Sequence, residues 1–282
     1  MNEQARVMEH YGHADLRKKL AAALAAAGLA DRILSPADLA PLDQFHTRGM
    51  AATVELGAAL AIAPGATVID IGSGLGGPSR YLAAKFGCTV KGIDLSPAFV
   101  DAACYLAERC ALTGKVSYEC ADALALPCPD GSFDIAWTQH VAMNIADRAG
   151  LYREVHRVLK PGGRFAIYDV VLGIGGPIHY PVPWSRSADT SFVIAPDAMR
   201  TALETAGFRI MLWNDGTPAA VAWFAEQQKA RSVAQGAGAP PAPAPLGLHV
   251  AMGADFPMLG ANLGRNLAEG RVGVVQAIVE RR

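Results

Sequence analysis

The chain is expected to fold as an α/β protein with a doubly wound parallel sheet, and three features of the sequence point to it. From Ala66 onward, apolar runs of strand length alternate with segments of helical periodicity. The first run, ATVIDIG, is apolar at successive positions, as a strand covered on both faces must be. Gly72, Gly74 and Gly77 then form a G-x-G-x-x-G loop that joins this strand to the helix after it. Strands separated by helices pair in parallel through right-handed crossovers, which gives the doubly wound arrangement.

Residues 1–63 read mainly as helix and form an N-terminal helical cap. Leu16, Leu20 and Leu24 share one stripe of an alanine-rich helix. Ser35 is placed as an N-cap with Pro36 at the first helical position. GMAATVELGAALAIA, from Gly49, is a further helix that ends before Pro64-Gly65. The core spans 64–216. In it, GPSRYLAAKFG is a helix stopped by Gly87, CTVKGIDLS a second strand, and PAFVDAACYLAERCALTG a helix from Pro97 to Gly114. KVSYECAD and SFDIAWTQ are the third and fourth strands. AGLYREVHRVLK puts Leu151, Val155, Val158 and Leu159 on one helix face, and Pro161-Gly162-Gly163 breaks it before the strand RFAIYDVV. Residues 173–190 lack periodicity, and RTALETAGFRIMLWND restores a helix and a strand. The interval 217–270 holds a helix over 217–234, a solvated Pro/Ala/Gly linker over 235–247 and a last helix near 253–268. Residues 271–282 carry the final strand, RVGVVQAIVER.

A length of 282 residues suits one large domain or a domain with a cap. With 51% hydrophobic and 18% charged residues, general disorder is excluded. A formal net charge of -1 leaves no general footprint for nucleic acid. No apolar run reaches the ~18 residues that a membrane span requires, so no membrane partner is expected. Arg17-Lys18-Lys19 followed by LAAALAAAGLA mimics a signal peptide, but Glu3, Glu9 and Asp15 precede it and Asp31-Arg32 follows where cleavage would fall. The cysteines at 88, 104, 110, 120 and 128 have no C-x-x-C spacing and suit a reducing compartment, hence a cytoplasmic protein.

The glycine loop, with Asp94 about twenty residues beyond Gly74, is compatible with a dinucleotide and therefore with an NAD(P)-dependent oxidoreductase. The acids nearby point elsewhere. Asp70, two residues before the loop, would face the ligand, which is awkward for a pyrophosphate that wants bare amides and a helix N-terminus. It suits a ligand carrying an ammonium and a sulfonium, or it caps the following turn. Asp94 can accept from a ribose diol in either case. Asp122, at the tip of the third strand, can accept from an adenine amino group while Ala123 offers its amide, or it caps its own turn. Three acids at three strand tips, with no Lys or Arg among them, describe a pocket that avoids phosphate.

VIDIGSGLGG, GIDLS, ADALALP, SFDIAW and VLKPGGRFAIYD, in this order, resemble the successive motifs of class I S-adenosylmethionine-dependent methyltransferases. The small-molecule branch, with the ubiquinone/menaquinone C-methyltransferases and the sarcosine/dimethylglycine N-methyltransferases, is the most similar. The resemblance covers 64–170 and is looser over 36–63 and 171–282. It implies a Rossmann-like, doubly wound sheet of seven strands, the last antiparallel, and S-adenosylmethionine as cofactor. It implies that Asp70, Gly72, Ser73 and Gly74 hold the methionine part, Asp94 with Leu95 the ribose, and Asp122 with Ala123 the adenine. The long interval before the last strand departs from the family's tight hairpin and implies a helical lid over the substrate.

Ligands of open α/β sheets bind beyond the carboxyl ends of the strands. In TQHVAMN, after the fourth strand, Gln139 and His140 should therefore lie beside the reacting methyl, and Asn144 by the substrate. Positioning alone is worth up to ~7–11 kcal/mol, and a general base adds roughly 10²–10⁴-fold. His140 is the first candidate base, or else a pocket-lining hydrogen-bonding group; His46 in DQFHTRG is the second. Arg48 is a partner for a ligand carboxylate; alternatively Asp43 and Thr47 cap a helix and leave His46 and Arg48 in solvent. Trp184 and His179 are expected to touch substrate, as are Asp255, Asn262 and Arg265 from the late helix. Trp184, Trp213 and Trp223 serve as core or as an aromatic cage. No metal is expected, since His10 and His13 stand without further ligands, and Ser73 lies in G-S-G rather than a nucleophile elbow. The expected activity is methyl transfer to a small molecule through N, O or C; a non-catalytic cofactor-binding subunit is the remaining alternative.

Overall fold

The computed structural model describes residues 15–236 and 246–282. Three helices, α1 (Leu16–Ala26), α2 (Pro36–Asp43) and α3 (Met50–Ala59), precede the sheet. There follow β1 (Thr67–Ile71), α4 (Gly77–Phe86), β2 (Thr89–Asp94), α5 (Pro97–Arg109), β3 (Val116–Cys120), β4 (Phe133–Gln139), α6 (Arg148–Val158) and β5 (Leu159–Leu172). After a loop come α7 (Pro196–Thr205), β6 (Phe208–Asp215), α8 (Thr217–Gly236), α9 (His249–Met252), α10 (Phe256–Ala268) and β7 (Val272–Arg281).

The seven strands lie in the order β3-β2-β1-β4-β5-β7-β6. The first five pair in parallel, and β7 runs antiparallel to both β5 and β6. Chain order reverses between β1 and β4, so a crevice opens beyond the carboxyl ends of these two strands. Period-two alternation builds the layers. In β1, Val68 packs into the core on the α3/α4 side, whereas Ile69 and Ile71 pack with Leu151 and Val155 of α6 on the other. The stripe Leu16, Leu20 and Leu24 is buried against Leu39, Leu42, Phe99 and Leu106, which seats α1 on α2 and α5.

Several element ends differ from the sequence expectation. The helix at 50 stops at Ala59, where Leu60 caps it and Ala61 turns to φ 48°, well before Pro64. The helix from Pro97 ends at Arg109, not near Gly114, because Ala111 adopts φ 53°. Pro161-Gly162-Gly163 lies within β5 rather than closing α6. The chain already leaves the helix at Leu159, and β5 absorbs the glycines by a register shift against Phe133 and Ile135 of β4. The late helical region is two pieces, α9 and α10. Glu3, Glu9, His10, His13 and most of the expected linker (237–245) lie outside the described residues.

The N-terminal helices are locked to the core by one buried ion pair. Ser35 caps α2 in a capping box with Asp38, and at the other end of that helix Asp43 meets Arg80 of α4 at 2.7 Å, with both side chains 0% exposed. Asp43 therefore caps nothing; it is the last residue of α2 and the counter-charge of a guanidinium behind the glycine loop. A buried pair of this kind gains little over apolar packing, yet losing one partner strands the other charge. Asp43→Ala should cost about 3–5 kcal/mol of folding stability, read from the urea midpoint at constant slope.

Candidate active site

β1 ends at Ile71, and the chain turns sharply through Gly72 (φ 71°) and Gly74 (φ 52°) into α4. Only glycine fits at 72. Its φ is left-handed, and a Cβ there would lie 2.5 Å from Val141 Cγ2. The amides of Gly72 and Ser73 donate to Ile93 O at 2.7 and 3.0 Å, which ties the loop to β2. The Gly74 amide donates to Asp94 Oδ2 at 2.8 Å, and Asp94 Oδ1 accepts from the Ser96 amide at 2.9 Å. Burial lifts the Asp94 carboxyl above its ordinary range, against the pull of these two amides.

A cavity of about 440 Å³ opens on this loop. Gly72, Gly74, Asp94, Leu95, Asp122 and Ala123 form one wall, and Gln139, His140, Asn144 and Trp184 face it from the other strands and loops. Asp122 also accepts the Leu124 amide at 2.9 Å, so it turns the chain while remaining on the wall. Asp70 and Ser73 lie behind the wall rather than on it. Asp70 is buried and accepts from Ser79 Oγ at 2.5 Å; burial, opposed by that hydrogen bond and reinforced by the charge of Asp94, pushes its carboxyl up to about 7. Ser73 Oγ, Gln139 Nε2 and Asn144 Oδ1 are buried without a hydrogen-bond partner. A pocket built to receive a polar ligand leaves such atoms waiting for it.

His140 follows β4 in a left-handed conformation (φ 55°), a strained backbone for a residue with a Cβ. Three contacts hold it there. Its amide donates to Tyr168 O at 2.8 Å, its ring stacks on Tyr168 at 5.6 Å and 5°, and Nε2 lies 3.4 Å from Thr47 Oγ1. Thr47 Oγ1 in turn is 3.0 Å from Tyr168 Oη. His46 is buried nearby, its ring 6.1 Å from that of His140, with Nε2 against Gly49 O at 2.9 Å. Burial holds His46 down to about 4; burial and then His46 hold His140 well below the ordinary histidine range. Both imidazoles are neutral near pH 7. The alternative that leaves His46 in solvent is corrected here: the turn at Arg48 (φ 64°) folds the ring inward against Thr53 and Gly49.

Other candidates are placed elsewhere. Arg48 is paired with Glu55 (Nη1 to Oε2, 2.7 Å) and is not left open for a ligand carboxylate. His179 does not reach the cavity wall. Its Nε2 meets Glu269 at 2.8 Å, and Asn266 grips its backbone N–H and carbonyl, so it pins the loop after β5 to α10. Asn262 donates to Pro181 O and Asp255 pairs with Arg186, so both serve the same docking, whereas Arg265 pairs with Glu269 at the end of α10 and borders a second cavity. Trp184 lines the cavity with Nε1 donating to Ser191 Oγ, whereas Trp213 packs under Arg200 on β6. Tyr168 was not singled out in the sequence, because its place beside Gln139 comes from the pairing of β4 with β5. Among the described residues no cluster of His, Cys, Asp or Glu could hold a metal, and no helix is long and apolar enough to cross a membrane.

Residues 69–167 match the family model described as a methyltransferase domain. The glycine loop, the three strand-tip acids and His140 all fall inside that stretch. Over that stretch the chain carries a methyltransferase domain. Similar curated proteins include the methyltransferase GfsG of Streptomyces halstedii, 38% identical over 135 residues, or 48% of this chain and 49% of that protein. The chloroplastic tocopherol O-methyltransferase of Arabidopsis thaliana is 45% identical over 100 residues, 36% of this chain and 29% of that protein. The chain thus spans half or less of the length of these two relatives. Among solved structures, a geranyl diphosphate C-methyltransferase from Streptomyces coelicolor superposes over 100% of this chain and 99% of its own (TM-score 0.70, 16% identity). The [4+2]-cyclase SpnF does so over 100% and 97% (TM-score 0.69, 21% identity). At such identities the superpositions establish the fold alone. The NAD(P)-dependent oxidoreductase reading of the glycine loop finds no support in these comparisons and is set aside.

The neutral histidines have a consequence for stability. Unfolded His46 titrates near 6.5 and folded His46 at about 4, so between these values the unfolded chain binds more protons and stability falls as pH drops. The full window corresponds to roughly 3 kcal/mol. Asp70 and Asp169, raised to about 7 and about 6 by burial, act in the opposite sense and are common to every variant at position 46. Thermal melts at pH 7 and pH 5 should therefore show a smaller acid-induced loss in His46→Gln than in the native chain.

Proposed function

We propose that the chain transfers a methyl group from S-adenosylmethionine to a small-molecule acceptor. One observation carries this: among the described residues lining the first cavity, the charged ones are two carboxylates, Asp94 and Asp122, with no Lys or Arg. A phosphate-bearing dinucleotide would meet only negative charge there; a phosphate-free, positively charged nucleoside meets its complement. The orphaned Gln139 Nε2 and Asn144 Oδ1, on residues that line the cavity, fit a ligand rich in polar atoms. Asp94 with Leu95 would take the ribose hydroxyls, Asp122 with Ala123 the adenine edge, and the backbone at Gly72 and Gly74 the amino-acid end, with Ser73 and Asp70 supporting the loop from behind. Gln139 stands between this grip and the catalytic side.

The cofactor supplies a methyl group on a positively charged sulfur, which leaves with the bonding electron pair as a neutral thioether. His140 does the proton work. It lines the cavity with an unprotonated ring, so it can accept the proton that an acceptor O–H, N–H or C–H gives up as the acceptor's electron pair forms the new bond to carbon. Burial weakens it as a base, and loss of the sulfonium's positive charge in the same step offsets this. Tyr168 fixes the plane of the ring, and Thr47 holds the Nε2 side. His46 supports this arrangement by packing against both rings. Trp184 and Phe256 cover the cavity from the loop after β5 and from α10 and keep water from the reacting atoms. The segment 217–270 acts as a lid, and a reducing compartment, the cytoplasm, suits the five free cysteines.

Two measurements test this reading. Asp94→Asn turns one acceptor oxygen into a donor, and S-adenosylhomocysteine affinity by calorimetry should fall by about 1–3 kcal/mol. Binding of NAD in place of S-adenosylhomocysteine would overturn the assignment. For the base, His140→Asn is the informative variant, since asparagine tolerates a left-handed backbone. Its methyl-transfer rate should drop roughly 10²–10⁴-fold with S-adenosylhomocysteine affinity retained, and an unchanged rate would remove His140 from the mechanism.

A further inference from the structure

We infer that a second, larger cavity beside the first is the acceptor site and that it takes a bulky, uncharged, predominantly apolar molecule presenting one nucleophilic hydroxyl or amine. This rests on the methyl-transfer reading above and adds the class of substrate. The cavity measures about 1020 Å³, at the upper end of ordinary small-molecule sites. Its walls come from α2 and the loop after it, from α8, from residues 246–249 and from α10. Phe45, Pro183 and Phe256 line both cavities, so the two are neighbours across a shared apolar partition.

Charge narrows the ligand. Among the described lining residues there is no Asp, Glu or Lys, and the Nε of the one arginine, Arg265, already donates to Glu269 at 2.7 Å. An ammonium would enter without a counter-charge, and a phosphate would have to compete with Glu269; either desolvation is costly. Trp223, Phe224 and Phe256 are half-buried and supply flat apolar wall. Polar side chains line two regions: Gln227, Gln228, Ser232 and His249 from α8 and α9, and Gln44, His46 and Thr47 on the side of the reaction. His46 and Thr47 line the second cavity, and Thr47 Oγ1 is 3.4 Å from Nε2 of His140 on the first. An acceptor with its reactive polar group at this end and a largely apolar body along Trp223, Phe224 and Phe256 matches that layout.

Two glycines of α10 border this space and differ in what a side chain there would meet. Gly264 is a packing residue, because a Cβ there would lie 3.0 Å from the Phe224 ring of α8. Gly260, one turn earlier, has no such reason: a Cβ there would meet nothing within 4 Å, although the position lines the cavity. A mid-helix glycine costs about 1 kcal/mol relative to alanine. Here that cost leaves room beside the helix rather than admitting a neighbour, so Gly260 sets the size of acceptor that fits.

The test uses the full chain saturated with S-adenosylhomocysteine, with para-nonylphenol and estradiol as apolar probes and sarcosine and phosphoethanolamine as charged ones. Binding is read by equilibrium dialysis for the native chain and for Gly260→Leu, which fills the cavity and favours the helix. The apolar probes should bind the native chain and bind Gly260→Leu at least about tenfold more weakly, with S-adenosylhomocysteine affinity and melting temperature not lowered. Equal binding by both chains, no binding of either apolar probe to the native chain, or preferential binding of a charged probe would overturn the inference. Loss of S-adenosylhomocysteine binding with apolar-probe binding intact would instead overturn the methyl-transfer reading and leave the ligand class of the cavity standing.

Discussion

Everything at the ligand face depends on one carboxylate accepting two backbone amides. Asp94, at the end of β2, takes Gly74 N with one oxygen and Ser96 N with the other. These bonds hold the loop after β1 and the turn after β2 in one plane, and the second lone pair of each oxygen stays available. The side chain therefore fixes its own surroundings before it meets any ligand. Gly72 is the matching constraint on the opposite side, since a side chain there would collide with Val141 and displace the loop that carries His140.

Burial shifts the titration of the groups around this loop toward their neutral forms. Asp70 is pushed up to about 7, and His46 and His140 are kept neutral by the same burial. The buried Asp43–Arg80 pair supplies the fixed charges beneath, and it joins the segment bearing His46 to the helix that begins at the glycine loop. Packing thus sets the electrostatics of the site, and local sequence does so much less. The fold shared with a [4+2]-cyclase shows that a sheet of this kind does not by itself fix the chemistry carried out on it.

This division explains what could be read from the amino acids alone. Strand tips follow from periodicity, so Asp94, Asp122, Gln139 and His140 are placed at the carboxyl ends of their strands, and the structure brings all four to one cavity. Asp70 was expected to face the ligand, yet in β1 it alternates away from the cavity and accepts from Ser79. His179 and Asn262 were grouped with the substrate by their position after β5 and in the late helix, but a loop without periodicity gives no direction to its side chains. Their partners, Glu269 and Pro181, lie some eighty or ninety residues away in sequence. Tyr168 and the pairing of Arg48 with Glu55 were invisible for a related reason: both depend on contacts that exist only once strands and helices have been assembled.

The long excursion between the last two strands leaves and re-enters the sheet at adjacent places. Asp215, at the end of β6, is the register partner of Val275 near the start of β7. Closure entropy grows only logarithmically with the length of such a detour, by about 0.6 kcal/mol per doubling. The roots are anchored by strand pairing whatever the chain does between them. This geometry makes the segment exchangeable: it can be lengthened, trimmed or replaced without moving β1, β2 and β3, whose carboxyl ends carry the glycine loop, Asp94 and Asp122 on the other half of the sheet.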